Sequence, residues 1–222
     1  MPRLRRRWVS ADIHNETDRV RKVQDKQASG YDRQMSFFER LLFGGARKWA
    51  CSQMKGEVLE IAVGTGRNIP LYPPDVRVTA VELSPQMLAL AEARTKELGA
   101  HVDLRLGDAQ ALDFEDARFD TVLITFALCT IPNDRCAAEE AFRVLRPGGR
   151  LVAVEHVRSP VRAVSAVQHM IDPLSVRFGA DHLVREPLDY LAEVGFQVEE
   201  VRRSKAGIVE RVRARKPAGQ AG

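Results

Sequence analysis

A chain of 222 residues, 45% hydrophobic and 29% charged, has the length of one domain and the balance of a folded chain in water. Its most apolar run, Thr121 to Ile131, is far shorter than the roughly 20 residues with which a helix crosses a bilayer. The net charge of +4 is unevenly spread: residues 1–30 carry eight basic and four acidic side chains, residues 201–222 carry seven and one, and the segment between them nets −6.

A basic head and tail around an acidic body suits peripheral contact with an anionic membrane surface, and equally suits termini that are merely solvated. Nucleic acid is not an expected partner, because no aromatics interleave the basic segments and no recognition motif accompanies them. The start, Met1-Pro2-Arg3-Leu4-Arg5-Arg6-Arg7-Trp8, is charged like a leader but has no apolar run behind it, so neither a secretory nor a twin-arginine signal is expected. Three cysteines (Cys51, Cys129, Cys136) without a CxxC pair fit neither a disulfide framework nor a metal site. They point to a reducing cytoplasm.

Residues 1–28 are polar and lack a strong apolar stripe. They read as a basic, partly disordered arm with helix around Asn15 to Lys26. Phe37, Phe38, Leu41, Leu42 and Phe43 suit a short helix ended by Gly44-Gly45. Glu57–Val63 and Arg77–Leu83 then read as buried strands. A helix from Pro85 to Leu98 follows, with Ser84 as its cap, proline in its first turn and Gly99 as its stop. Val102–Leu106 and Phe119–Phe126 are the third and fourth strands, Asn133 to Leu145 a helix, Pro147-Gly148-Gly149 a turn and Arg150–Val157 the fifth strand. Helices over Val161–Phe178 and Pro187–Val194 precede an antiparallel pair, Phe196–Arg203 and Ile208–Arg215. This alternation predicts an α/β fold: a doubly wound, mostly parallel seven-stranded sheet with an antiparallel last pair. The domain is expected over 29–217, with an acceptor lid around 158–186 and a flexible tail at 218–222.

Such sheets bind ligands at the carboxyl ends of their strands, so the strand-ending residues are the candidates for function. The first strand runs into Gly64-Thr65-Gly66, where bare backbone permits a sharp turn and close approach of a ligand. A dinucleotide fingerprint needs a third glycine at position 69, which is Ile69. Glu82 ends the second strand and can accept both hydroxyls of a ribose. Gly107-Asp108-Ala109 ends the third and can read the edge of an adenine. Each feature has a plain alternative, a tight turn, a surface acid or an Asx-turn. Together they describe a pocket for an adenosine without phosphates.

Glu60-x-x-x-Gly64-x-Gly66, Glu82-Leu83-Ser84-Pro85-x-Met87-Leu88, Gly107-Asp108-Ala109, Phe119-Asp120 and Leu145-Arg146-Pro147-Gly148-Gly149 resemble the successive motifs of class I S-adenosylmethionine-dependent methyltransferases. The resemblance spans about Ser29 to Lys216. It implies that Glu60, Gly64 and Gly66 belong to the cofactor loop, the glycines flanking the methionine part. It also implies that Glu82 holds the ribose, Asp108 the adenine amino group and Ala109 its ring edge, with Met87 and Leu83 packing nearby. Thr125 and Phe126 would line the sulfur end, and Tyr31 would close over the cofactor. Gly64 to Pro74, Phe126 to Pro132 and Glu155-His156-Val157-Arg158-Ser159 are similar to a branch containing bacterial phosphatidylethanolamine N-methyltransferases, quinone-type C-methyltransferases and alkyl thiol methyltransferases. That branch mixes acceptor atoms, so transfer to N, C, O or S stays open.

Methyl transfer is an in-line displacement that needs alignment and exclusion of water; a base matters only for a protonated acceptor. His156, at the end of the fifth strand, is the candidate base. His169, Asp172 and His182 fall on the expected lid, and Cys129 beside the fourth strand is read as packing against the acceptor, not as a nucleophile. Val161, Val164, Val167, Ile171, Leu174 and Phe178 form a helical stripe that either roofs an apolar acceptor or covers the sheet. The leading expectation is a methyltransferase, monomeric or homodimeric, acting on a small hydrophobic or aromatic acceptor. The rivals are a phospholipid head-group N-methyltransferase, a nicotinamide-dependent reductase and a non-catalytic nucleoside-binding module.

Overall fold

The computed structural model describes residues 11–39 and 44–219. Its seven strands are β1 (Glu57–Ile61), β2 (Arg77–Glu82), β3 (Val102–Leu106), β4 (Phe119–Thr125), β5 (Leu145–His156), β6 (Gln197–Ser204) and β7 (Val209–Arg215). They form one sheet in the order β3-β2-β1-β4-β5-β7-β6. All pairings are parallel except those of β7, which runs antiparallel to both neighbours. The strand order reverses between β1 and β4, and the loops leaving those two strands therefore open a crevice at the carboxyl edge.

Six helices surround the sheet: α1 (Ala11–Phe38), α2 (Ala46–Ser52), α3 (Pro85–Leu98), α4 (Asp134–Val144), α5 (Arg162–Gly179) and α6 (Leu188–Val194). One core joins Ile61, Phe119, Val122 and Ile124 of the sheet to Ala137 and Ala141 of α4 and Leu191 of α6. The other joins Val58, Val78, Leu123 and Val152 to Ala50 and Cys51 of α2 and Ala91 of α3. Burial on both faces explains the nearly unbroken apolar runs of β1 and β4. β3 and β6 lie at the edges and carry charged, exposed residues instead.

The capping signals act as read. The Ser84 side chain accepts from Met87 N at 3.1 Å, Pro85 occupies the first turn and Gly99 closes α3 in the left-handed region. The expected turn at Pro147–Gly149 lies inside β5, where the register with β4 jumps between Phe119 and Thr121. The helix expected around Asn15 to Lys26 is longer than that: α1 runs unbroken from Ala11 to Phe38, through the expected boundary at residue 28. It buries Val20 and Ala28, which gives residues 11–28 a fixed seat that the sequence did not suggest. Residues 1–10, Leu41, Leu42, Phe43 and residues 220–222 of the expected tail lie outside the described residues.

The turn after β1 requires its second glycine. Gly66 has φ +79°, and a Cβ there would stand 2.6 Å from Ile69 Cδ1 and 3.2 Å from the Cα of Ala91. Gly66→Ala is expected to lower stability by about 1–3 kcal/mol, read as a lower urea midpoint.

Candidate active site

The site is built at the carboxyl edge, from the loops after β1, β2, β3 and β4. Glu82, at the tip of β2, is buried, and its two oxygens accept from Gly64 N and Ser84 N, each at 2.9 Å. One carboxylate therefore fixes the glycine loop of the neighbouring strand and the start of α3. Burial raises its proton affinity, and the backbone donors at Ser84 and Gly64 oppose that rise. Gly64 itself has φ +60°, with open space where a Cβ would stand.

Glu82, Leu83, Asp108 and Ala109 line one cavity together with Ala62, Ile131 and, from α1, Val20 and Gln24. Met87 is buried beside this edge in the first turn of α3. Asp108 accepts from Gln110 N at 2.9 Å and from the Gln110 side chain. The strand tips thus gather an acidic acceptor, a second acidic acceptor and bare glycine backbone around one space, and this donor and acceptor set fits an adenosine carrying an amino-acid tail. The cavity measures about 30 Å³, room for about one water molecule, because α1 lies across its mouth. Asp25 accepts from the Ser84 hydroxyl at 2.5 Å, Thr17 accepts from Gln110 at 3.1 Å, and Asp32 accepts from Thr65 Oγ1 at 2.6 Å.

Tyr31, on α1, is half-buried, and burial pushes its phenol up to about 12. Glu60 lies under the glycine loop. It is fully buried, accepts from Asn68 at 2.8 Å and from the Tyr72 hydroxyl, and burial pushes its carboxyl up to about 7. Thr125 Oγ1 accepts from Arg47 at 2.8 Å and from Asn68 at 2.9 Å, and the Arg47 guanidinium lies over the Phe126 ring. Ala62 and Phe126, each just past a strand tip, both have positive φ (56° and 53°). Two non-glycine residues in that region, side by side at the crevice, mark a place where backbone strain is held.

A second group forms beyond β4 and β5. His156 Nε2 is 2.9 Å from Asp181 Oδ1, and Cys129 Sγ completes a set whose ligand-type atoms all lie within 4.8 Å of one another. Burial works against the imidazolium, but Asp181 more than offsets it and His156 titrates above its ordinary value; Asp181 is held low in turn. Burial drives the Cys129 thiol well up, so it stays protonated. His156 Nδ1 is buried and has no hydrogen-bond partner among the described residues. Glu155 accepts from Ala127 N at 3.0 Å and Leu128 N at 3.2 Å, and burial pushes it up to about 7.

The candidate acceptor residues are only partly brought together. His182 donates its backbone N–H to Cys129 O at 3.0 Å, and Asp172 accepts from Leu183 N at 2.6 Å and acts on His156. His169 is exposed on the outer flank of α5 and bonds back to Ser165 O at 2.8 Å, away from this cluster. Of the apolar stripe of α5 only Val164 is half-buried; Val161, Val167, Ile171, Leu174 and Phe178 face solvent and neither roof a pocket nor cover the sheet. Among the described residues, Asp181, Arg47, Asn68 and Gln110 take part in the site without having been singled out. Asp181 stood beside a flagged histidine, but only tertiary folding shows its partner.

A seven-stranded sheet of this order, with a buried acid closing the glycine loop, defines the methyltransferase architecture. A family described as a methyltransferase domain matches residues 59–153. A phosphatidylethanolamine N-methyltransferase of Cereibacter sphaeroides is 40% identical over 51% of this chain and 57% of its own length. A thiol S-methyltransferase of Homo sapiens is 30% identical over 75% of this chain and 70% of its own, and a demethylmenaquinone methyltransferase of Tropheryma whipplei is 30% identical over 85% and 82%. The chain thus spans just over half of the first relative and more than two thirds of the other two. The crystal structure of an S-adenosylmethionine-dependent methyltransferase of Thermotoga maritima superposes with a TM-score of 0.68 at 23% identity, over 88% of this chain and 99% of that one. The chain belongs to the class I S-adenosylmethionine-dependent methyltransferases. That assignment displaces the nicotinamide-dependent reductase as a reading of the fold.

Two measurements probe this geometry. Glu82→Ala orphans two backbone donors and is expected to weaken S-adenosylhomocysteine binding about 10- to 100-fold by calorimetry. The raised carboxyls of Glu60 and Glu155 bind protons in the folded state that the unfolded chain releases. Their contribution is full below the ordinary glutamate value and is lost as pH rises towards about 7. Thermal stability should fall across that window, and less steeply in Glu155→Gln.

Proposed function

We propose that this chain transfers a methyl group from S-adenosylmethionine to a small, largely apolar acceptor whose attacking atom carries a proton, with His156 as the base. The observation that carries the reading is the buried His156–Asp181 pair, at the same sheet edge as the Glu82 pocket.

When bound, the sulfonium supplies the methyl carbon, and the chain's own residues align and shield. Glu82 and Asp108 hold the nucleoside from the tips of β2 and β3, while the glycine backbone at 64–66 leaves room for the tail. Tyr31 and α1 close the edge and keep water out. Alignment of this kind can supply up to about 7–11 kcal/mol of the barrier. Asp181 accepts from Nε2 of a neutral His156 ring, which leaves the lone pair at Nδ1 to take the acceptor's proton. The imidazolium so formed is stabilised by Asp181, which the same hydrogen bond keeps ionised. Cys129 and Phe126 give the acceptor side an apolar wall. The relative named as a thiol S-methyltransferase supports an acceptor with an ionisable S–H.

His156→Ala is expected to lower kcat about 10²- to 10⁴-fold with S-adenosylhomocysteine affinity unchanged, measured on a panel of thiols, phenols, quinols and amines with labelled cofactor. In the wild type, kcat/KM should rise with pH through a limb above 6.5, and Asp181→Asn should move that limb to lower pH. An unshifted limb in Asp181→Asn, or full activity in His156→Ala, would remove His156 as the base.

A further inference from the structure

Helix α5 is mounted inside out. Its inward side is polar: Gln168, buried, donates to Val157 O at 2.9 Å and Leu183 O at 3.1 Å and accepts from Ser159 N at 2.7 Å, and Asp172 accepts from Leu183 N. Its outward side is apolar. Val167, Met170, Ile171, Leu174 and Phe178 recur at helical spacing and are 52%, 73%, 43%, 62% and 66% exposed. A helix at a protein surface ordinarily turns such a stripe to the core. Here it extends about 17 Å along the surface, from residue 167 to 178, at 1.5 Å per residue.

The flank beside the stripe is basic. Arg162 and Arg177 are exposed on it. Arg162 and His169 also line an open cavity of about 560 Å³ with Arg158 and Arg203, which are paired with Glu186 at 2.5 Å and with the buried Glu210 at 2.6 Å. The ten residues preceding α1 contain four arginines and Trp8 and no acid, and α1 reaches α5 through Arg19 and Gln27, which donate to Val176 O and Phe178 O.

We propose that α5 is a membrane-docking helix: its apolar stripe enters the head-group boundary of an anionic bilayer, and Arg162 and Arg177 on its flank meet the lipid phosphates. An apolar face beside a cationic flank is the arrangement with which a helix lies in the plane of a bilayer interface, and charge complementarity favours an anionic lipid surface over a neutral one. No described helix is long and apolar enough to cross a membrane, so the contact is peripheral. The proposal rests on this surface alone and stands whether or not His156 is the base.

The test is co-sedimentation of the full chain with vesicles of phosphatidylcholine, with and without phosphatidylglycerol, at low and high salt. Calorimetry with S-adenosylhomocysteine serves as the control for an intact fold and cofactor site. The wild type should pellet with the anionic vesicles at low salt and remain in solution with phosphatidylcholine alone. Met170→Asp with Leu174→Asp should cut binding about tenfold or more, and Arg162→Ala with Arg177→Ala roughly fivefold for each arginine removed, all with unchanged affinity for the nucleoside. Equal binding by the Met170/Leu174 variant would overturn the proposal. So would equal binding to both vesicle types, no pelleting of the wild type, or a dimer in solution that the same variant dissociates.

Discussion

Three buried carboxylates at the carboxyl edge hold the site in shape. Glu60 grips the loop after β1 through Asn68 and Tyr72, Glu82 grips the backbone at Gly64 and Ser84, and Glu155 grips the backbone at Ala127 and Leu128. Each reaches from a strand tip to a segment that would otherwise carry unpaired N–H groups or side chains in a dry place. Burial of a carboxylate is costly unless its lone pairs are used, and here much of that cost is offset by hydrogen bonds that fix the crevice. The raised proton affinity of all three is the residue of that compromise.

The same arrangement explains how a sheet with few polar atoms in its centre can present an ordered polar rim. β1, β4 and β5 are packed on both faces and leave their ends little freedom. The loops that follow are then set by short-range contacts, including the left-handed residues Ala62 and Phe126. For a displacement reaction that depends on alignment more than on acid–base chemistry, this rigidity is the main contribution of the protein. His156 and Asp181 form a buried pair at the same edge, with Asp181 delivered by the segment after α5.

The sheet could be read from the chain almost strand by strand, because buried parallel strands are apolar, short and bounded by glycine or proline. The α3 boundaries followed from Ser84, Pro85 and Gly99 for the same local reason. What could not be read depends on contacts far apart in sequence. α2 is too short for a periodic signal. α1 read as a partly disordered arm with helix only around Asn15 to Lys26, yet it is continuous and seated by Val20, Ala28 and hydrogen bonds to Thr65, Ser84 and Gln110. The α5 stripe has the spacing of a core-facing helix, and nothing in its own sequence reveals that Gln168 and Asp172 turn the polar side inward. Asp181 acquires its role only through a histidine 25 positions earlier.

One rod of 28 residues touches both halves of this edge. Along it, Asp25 and Asp32 are tied to the helix that follows Glu82 and to the glycine turn. Two other side chains, Arg19 and Gln27, are tied to the last carbonyls of the outward-facing helix. The rim of the crevice and the end of the outward-facing helix therefore share one continuous support.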